Sequence, residues 1–390
     1  MSGLPKVVIN VNDENLGKTV ATIDGVAGMV LTGASVTGKI QTGESKVFYG
    51  LKEAYNAGIT PTGINAYAYK HIKDFYDVAG NGAELWLMLV DDSVLMSGML
   101  DVNNPYAQKL ITDAGGRIRL LGVSKEATGS ETISGGLDED VAQARINGQQ
   151  LAEHFGVFYQ DFSLIIDGKS FNGNVADLTD LHTESKEFVS VLISNANGEK
   201  NAAIGLLLGR LAIDPVQRNP GRVKSGALPV LAGYFTDQGK VEDKQSQWDT
   251  LHDKGYIFLR SFQGKAGYFF SDAPTAQSMA NDLSDIPRVR AIYKARRLAY
   301  LTFVEEILDE IPVDAQGKIA PALIKSWEAK IENALTQQMV ATGEISGVHA
   351  DIDPNQDILG TDNVNISLSV LPVGYGRYIT IELGFSTSLN

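Results

Sequence analysis

The chain has 390 residues, 44% hydrophobic and 21% charged, enough to bury two or three cores of an ordinary globular protein. Its formal charge of -14, from 33 Lys and Arg against 47 Asp and Glu, has the wrong sign for a generic nucleic-acid binder, which gains affinity by releasing counterions from phosphates. With no cysteine there are no disulfides, thiolate metal sites or cysteine nucleophiles, and no apolar run is long enough to span a bilayer as a helix.

The first residues, MSGLPKVVINVNDEN, carry a β-rich run in Val7, Val8, Ile9 and Val11. They show neither the positive start nor the apolar block of a signal peptide, so the chain is expected to stay where it is made unless cell lysis or another system exports it. Residues 28–40, GMVLTGASVTGKI, follow. There an apolar run (Met29, Val30, Leu31) feeds a glycine loop whose Gly33, Gly38 and Lys39 match G-x-x-x-x-G-K, the phosphate loop of nucleotide hydrolases. Ile40 stands where a Ser or Thr hydroxyl would bind Mg2+.

KVFYGLKEAYNAGI and INAYAYKHIKDFYDVAG have helical spacing and end at Gly58 and Gly80. LWLMLVDD, 85–92, is a buried-strand run ending on Asp91 and Asp92, as a Walker-B strand would. Helix (NPYAQKLITDAGG), strand (RIRLLGV), helix (DEDVAQARINGQQLAEHFG), strands (FSLIID, EFVSVLIS) and helix (AAIGLLLGRLA) then alternate, which predicts an α/β layer domain. DPVQRNPGRVKSGAL, 214–228, reads as a loop or a domain boundary. After Tyr256 come a predicted hairpin (GYIFLRSFQGKAGYFFSD), one long helix (PRVRAIYKARRLAYLTFVEEILDEI) and a helix over 321–339. Two alternating strands close the chain. Val364, Ile366, Leu368 and Val370 share one face of the first, and Ile379, Ile381, Leu383 and Phe385 one face of the second.

The residues offer little chemistry. Against nucleotide binding, Ile40 has no oxygen for Mg2+, and IQTGES separates the loop from any helix N-terminus that would face the phosphates. A degenerate Walker A at 33–40 is the alternative reading; a glycine-rich connection is the favoured one. The five histidines (His71, His154, His182, His252, His349) are scattered without metal-ligand spacing and read as surface or cap residues. No catalytic residue, metal ligand or cofactor site stands out. The β runs at both ends are attached to flexible or polar segments. They are suited to joining a neighbour's open sheet edge, or else they pair within one chain.

The segments RLAYLTFVEEILDEIP (297–312), GKIAPALIKSWEAKIENALTQQMVATGEISG (317–347), DIDPNQDIL (351–359) and VNISLSVLPVGYGRYITIELGF (364–385) resemble the C-terminal portion of tail-sheath proteins of contractile phage tails and related injection machines. GYIFLRSFQGKAGYFFSDAPTA and the early GVAGMVLTGASVTGK and VFYGLKEAYNAGI are similar more weakly. The resemblance implies a non-enzymatic structural subunit that polymerises helically around an inner tube and contracts to drive the tube through a membrane, without cofactor or metal. It implies an N-terminal arm over 1–20, an outer α/β region over 21–254, a sheath core over 255–375 and a C-terminal arm over 376–390. The arm strands would be Leu4 to Asn12 and Tyr378 to Phe385. Pro372, Gly374 and Gly376 would form the arm's hinge, with a simple hairpin turn as the other reading.

The implied partners are further copies of the chain, the inner tube, and baseplate and terminator or cap proteins, with no nucleic acid and no membrane insertion. The implied location is the producing bacterium's cytoplasm, then the assembled particle. The basic segment Arg288, Arg290, Lys294, Arg296 and Arg297 is expected to face the tube, or otherwise to be a solvated face or to form ion pairs between subunits.

Overall fold

The structure, a computed structural model, describes residues 23–385. The chain divides into two compact units, one up to Arg290 and one from Ala291. In the first, a seven-stranded sheet has the order β12-β9-β7-β4-β1-β3-β2. These are β1 (Ala27–Thr32), β2 (Ser45–Phe48), β3 (Leu85–Val90), β4 (Leu120–Ser124), β7 (Ser163–Asp167), β9 (Val189–Leu192) and β12 (Tyr256–Ile257). Every pairing is parallel except that of β2 on β3. Short antiparallel pairs flank it: β5 (Ile133–Ser134) with β6 (Leu137–Asp138), β8 (Ser185–Lys186) with β15 (Ala276–Gln277), and β10 (Ser194–Asn195) with β11 (Tyr234–Phe235). The hairpin expected after Tyr256 forms from β13 (Leu259–Phe262) and β14 (Lys265–Phe270).

The central strands are buried along their whole length, as parallel strands covered on both faces must be. The register shows which helix covers which face. Gly122 on β4 lies against Ile204 and Leu208 of α6 (Ile204–Ile213), and its partner across β7 is Ile165. The adjacent Leu164 points the other way, onto Gly148 of α5 (Asp140–Gly156). Helix α2 (Ala66–Ala79) crosses α6 where a Cβ on Gly205 would lie 2.0 Å from the His71 carbonyl oxygen, so only glycine permits the approach.

Several expectations are corrected. Lys46 to Phe48 are not helical but form β2, which pairs antiparallel with β3; extended Gly50 breaks the chain before a short helix, α1 (Leu51–Asn56). The β-favouring Val47 and Phe48 meet a ready strand edge there, and tertiary pairing overrides local periodicity. The loop 214–228 is not a boundary, because Arg210 on α6 donates to the carbonyls of Ser225 and Gly226. Nor does the division fall between 254 and 255, because β12 pairs with β9 in the first unit's sheet.

The long helix, α8 (Ile286–Phe303), stops well short of Ile311. Glu305, Glu306, Asp309 and Glu310 would crowd carboxylates onto the negative end of a longer helix, and Leu308 adopts a left-handed φ of 68°.

In the second unit, α9 (Pro321–Leu335) starts on proline, which suits the first helical turn. Its Ile324 and Trp327 pack with Ile319, Ile352 and Ile358 into one small core. β16 (Ile345–Asp351) and β17 (Ser367–Pro372) form an antiparallel pair. The expected face holds: Val364, Ile366, Leu368 and Val370 are half-buried, while Asn365, Ser367 and Ser369 are exposed.

Candidate functional site

Two places merit attention: the carboxyl end of the large sheet, where such folds hold ligands, and the edges of the small one. Among the parallel strands, the second (β3) lies to one side of β1 and the rest to the other, so the order reverses between β1 and β4. In open α/β sheets ligands sit outside the strand ends at this switch point.

The phosphate-loop-like segment leaves β1 there, but its amides are committed. Gly33 N donates to Val90 O (2.8 Å), Ala34 N to Asn65 Oδ1 (2.7 Å), Val36 N to Ile40 O (2.8 Å) and Lys39 N to Val36 O (2.9 Å). Fully buried Asn65 returns a bond to Ala34 O (2.9 Å), so a side chain closes the loop from inside. The loop leads into strand β2 rather than a helix, which leaves no helix N-terminus to face phosphates. Ile40 is itself a core residue at 0% exposure, and Asp91 is tied up by the amide and hydroxyl of Ser93. The nucleotide alternative finds no support in this geometry.

Beside the loop, the space between strand ends is filled by the protein's own polar groups. The buried Asp167 carboxylate accepts from Ser124 Oγ, from Asn201 Nδ2 (2.7 Å) and from Ala202 N (2.7 Å). Ser124 also hydrogen-bonds Tyr67 on α2, and Asn201 reaches Lys125 O (2.7 Å) and Ala127 N (2.8 Å). Burial pushes the Asp167 carboxyl up to about 6, against the pull of these donors and of Lys169. A carboxyl perturbed in this way can mark an active site. This one is fully enclosed and saturated with donors, so it fastens β4, β7, α2 and the start of α6 together.

An open cleft of about 540 Å³ lies nearby, lined by Lys125, Lys169, Glu131, Asp138 and Asp140 among others. Its charges answer one another: Lys169 pairs with Asp138 (3.0 Å), and Asp140 accepts from Met96 N (2.7 Å).

His71 corrects the expectation that every histidine is a surface or cap residue. It is fully buried on α2, edge-on to Tyr67 at 4.8 Å, and burial together with Lys70 holds its pKa well below the usual range. Among the described residues, no group of three or more His, Asp or Glu is placed to hold a metal.

The small sheet is different. Past Pro372, the last residue of β17, no described residue joins a strand. Tyr378, Ile379, Ile381, Leu383 and Phe385 are 84, 82, 79, 96 and 112% exposed. Gly374 and Gly376 border open space and have no left-handed φ. Val7, Val8, Ile9 and Val11 lie outside the described residues.

The basic segment does not present one exposed stripe. Arg290 is buried in the first unit, where it donates to Asp24 O (3.2 Å) and Asp214 O (3.4 Å). Lys294 pairs with Glu344 (2.7 Å) in the second unit, and Arg288 lies 3.6 Å from Asp285. Arg296 sits over the Tyr293 ring, and Arg297 is half-buried. Sequence reasoning missed the buried network and the strand Ile345–Asp351. Gly347 and half-buried Val348 blur that strand's alternation, and nothing in residue spacing announces a hydrogen bond between distant elements.

Among solved structures, the chain is similar to one from the contracted helical sheath of the anti-feeding prophage (15% identity, TM-score 0.65, 100% of each chain covered). It is also similar to a chain of that particle's baseplate (14%, 0.64, 99% of this chain and 100% of the other). A chain of the contracted sheath complex of the PVC extracellular contractile injection system matches as well (13%, 0.60, 99% of each). At such identities the likeness is one of fold. No curated protein matches the sequence. The N-terminal domain profile of the DUF2586 family matches residues 4–274 and its C-terminal domain profile residues 282–390. Matched in both domains over almost its whole length, the chain belongs to the DUF2586 family.

Proposed function

We propose that this protein is the structural subunit of a contractile sheath, polymerising helically around an inner tube and contracting to drive the tube through a target membrane. The observation that carries the reading is the end-to-end match in fold to a contracted-sheath chain. The exposed terminal segment beside a two-stranded sheet agrees with it, since so small a sheet is marginal until further strands join.

The energetics favour a tether over a lock. Burying four large apolar side chains contributes about 1.5–3 kcal/mol each, or on the order of 6–12 kcal/mol. Ordering eight backbone residues costs about 1–2 kcal/mol apiece, on the order of 8–16 kcal/mol. A single arm near break-even holds weakly, and many arms in a lattice hold by multiplicity. Contacts of this head-to-tail kind build open helices rather than closed dimers, and contraction is a switch between two packings of the same tethered copies.

The remaining parts of the reading follow from the sheath role. The N-terminal run Val7 to Val11 supplies a second arm, and the inner tube, baseplate and cap proteins are the other partners. Assembly takes place in the producing cell's cytoplasm, and no catalytic step or cofactor is needed. Arg290 and Lys294 serve internal packing rather than the tube.

The test is negative-stain microscopy of the purified full chain and of a chain ending at Arg377. Hollow striated cylinders from the full chain, and a folded but cylinder-free truncation, are the expected pair. A full chain that stays monomeric at high concentration, or a truncation that polymerises normally, overturns the proposal.

A further inference from the structure

The small sheet has two edges, and the chain treats them unequally. In an antiparallel pair, alternate amides face the partner strand and the others face outward. The outward amide of Ala350 on β16 and that of Ile352, one residue past the strand's end, are both occupied: Ala350 N donates to Glu332 Oε1 (2.8 Å) and Ile352 N to Glu328 Oε1 (3.1 Å). The two carboxylates stand four residues apart on α9 and so share a face.

Four helical residues rise about 6 Å and two strand residues advance about 6.8 Å, so one turn of α9 matches two successive outward amides. Each carboxylate is also held from a second side. Lys325 Nζ lies 2.6 Å from Glu328 Oε2, and His349 Nδ1 lies 3.0 Å from Glu332 Oε1. Glu328 is 8% exposed, and Lys325 and the Ile352 amide keep its carboxyl below the usual range. By the register, the outward amides of β17 are those of Leu368 and Val370, and among the described residues no carboxylate meets them.

We propose that Glu328 and Glu332 are edge guards, closing the C-terminal end of β16, at Ala350 and the adjoining Ile352, to an incoming strand and leaving the edge of β17 to receive the C-terminal segment of a second copy. A strand arriving at β16 must displace two charge-assisted bonds, each roughly twice as strong as a neutral one. At β17 it displaces none among the described residues. Inward-held charges are a known way to protect a sheet edge from promiscuous pairing. The identity of the incoming strand rests on the sheath reading; the guard itself is a property of the single chain.

Because the chain has no cysteine, two introduced ones report proximity without background. In assembled full-length protein treated with a short bis-maleimide, Leu371→Cys with Ile381→Cys is expected to give intermolecular ladders. Val348→Cys with Ile381→Cys is expected to give roughly tenfold fewer, rising to the Leu371 level when Glu328→Ala and Glu332→Ala are added. The Glu328→Gln, Glu332→Gln pair keeps an acceptor at each amide and should hold the Val348 yield low. Equal cross-linking from Val348 and Leu371 with both carboxylates intact overturns the proposal.

In dilute unassembled full-length protein, the Ala350 and Ile352 amides should exchange hydrogen at least about tenfold faster in the double alanine variant, with Asp351 unchanged. Unchanged exchange at Ala350 and Ile352 overturns the guard whether or not cylinders form. Absence of all cross-links alongside the expected exchange defeats the sheath reading and the β17 assignment, and leaves the guard standing.

Discussion

Ile40 decides between a damaged nucleotide loop and a structural one, and replacing it by threonine puts the question directly. Threonine restores the residue a phosphate loop would have, so a latent nucleotide site should gain from the change. The structure requires the opposite. The Ile40 side chain has no exposed surface, its amide donates to Ala57 O at 3.2 Å and its carbonyl accepts from Val36 N at 2.8 Å. Loss of one core methylene costs about 0.5–1.5 kcal/mol, and burying a hydroxyl without a partner about 1–3 kcal/mol. Ile40→Thr should therefore destabilise the first unit by on the order of 1.5–4.5 kcal/mol, the combined cost of these terms. With a urea slope of about 1–3 kcal/mol/M the midpoint falls by about 0.5 M or more. Trp86 and Trp248 fluorescence follows the unfolding of that unit. Mg2+ with ATP should move neither protein's midpoint, whereas a real site at 100 times its Kd would add about 2.7 kcal/mol. A threonine variant as stable as the parent, or one stabilised by Mg2+ and ATP, would refute the reasoning.

Gly205→Ala should cost about 3 kcal/mol or more, because its Cβ would lie 2.0 Å from a backbone oxygen of α2 that cannot swing aside. Gly98→Ala, whose Cβ would meet only ordinary contacts from 3.7 Å, should be nearly neutral, and equal thermal melts for the two would contradict the packing argument. For Asp167, burial raises the folded-state pKa from 3.8 to about 6. Between those values the native chain holds a proton the unfolded chain has lost, so this group's contribution falls as pH rises through the window and stays low above it. The stability of Asp167→Asn relative to the parent should therefore improve by up to about 3 kcal/mol between pH 4 and pH 6.5, and a difference that does not vary with pH would sink the assignment.

The parts of the fold legible in the sequence were those governed by short-range periodicity. The buried runs around Leu85 and Leu164, the helix over Asp140–Gly156 and the alternation at Val364 to Val370 announce themselves because burial imposes a repeat of two or of 3.6. What escaped was decided between elements distant in sequence. Lys46 to Phe48 became a strand because β3 offered an edge, and Arg290 is enclosed by carbonyls from residues 24 and 214. Asn65 closes the glycine loop from 31 residues away. The resemblance to sheath proteins came from ordered segments over about half the chain, and it covered the C-terminal unit best, where the terminal segment lies exposed.

That segment poses an apparent contradiction whose resolution depends on charge. Tyr378, Ile379, Ile381, Leu383 and Phe385 in water are the kind of apolar strand that aggregates, with Glu382 the only acidic residue among them. Two features oppose indiscriminate pairing. A net charge of -14 makes copies repel until their surfaces are correctly aligned, and carboxylates from α9 already occupy amides on one of the two sheet edges the segment could join. On the sheath reading, the proposed docking edge of β17 offers pairing in one direction only, from each chain to the next. Head-to-tail pairing extends into an open helix when the rotation between copies does not close, and on the proposed reading a weak tether repeated at every subunit would let the copies rotate without parting.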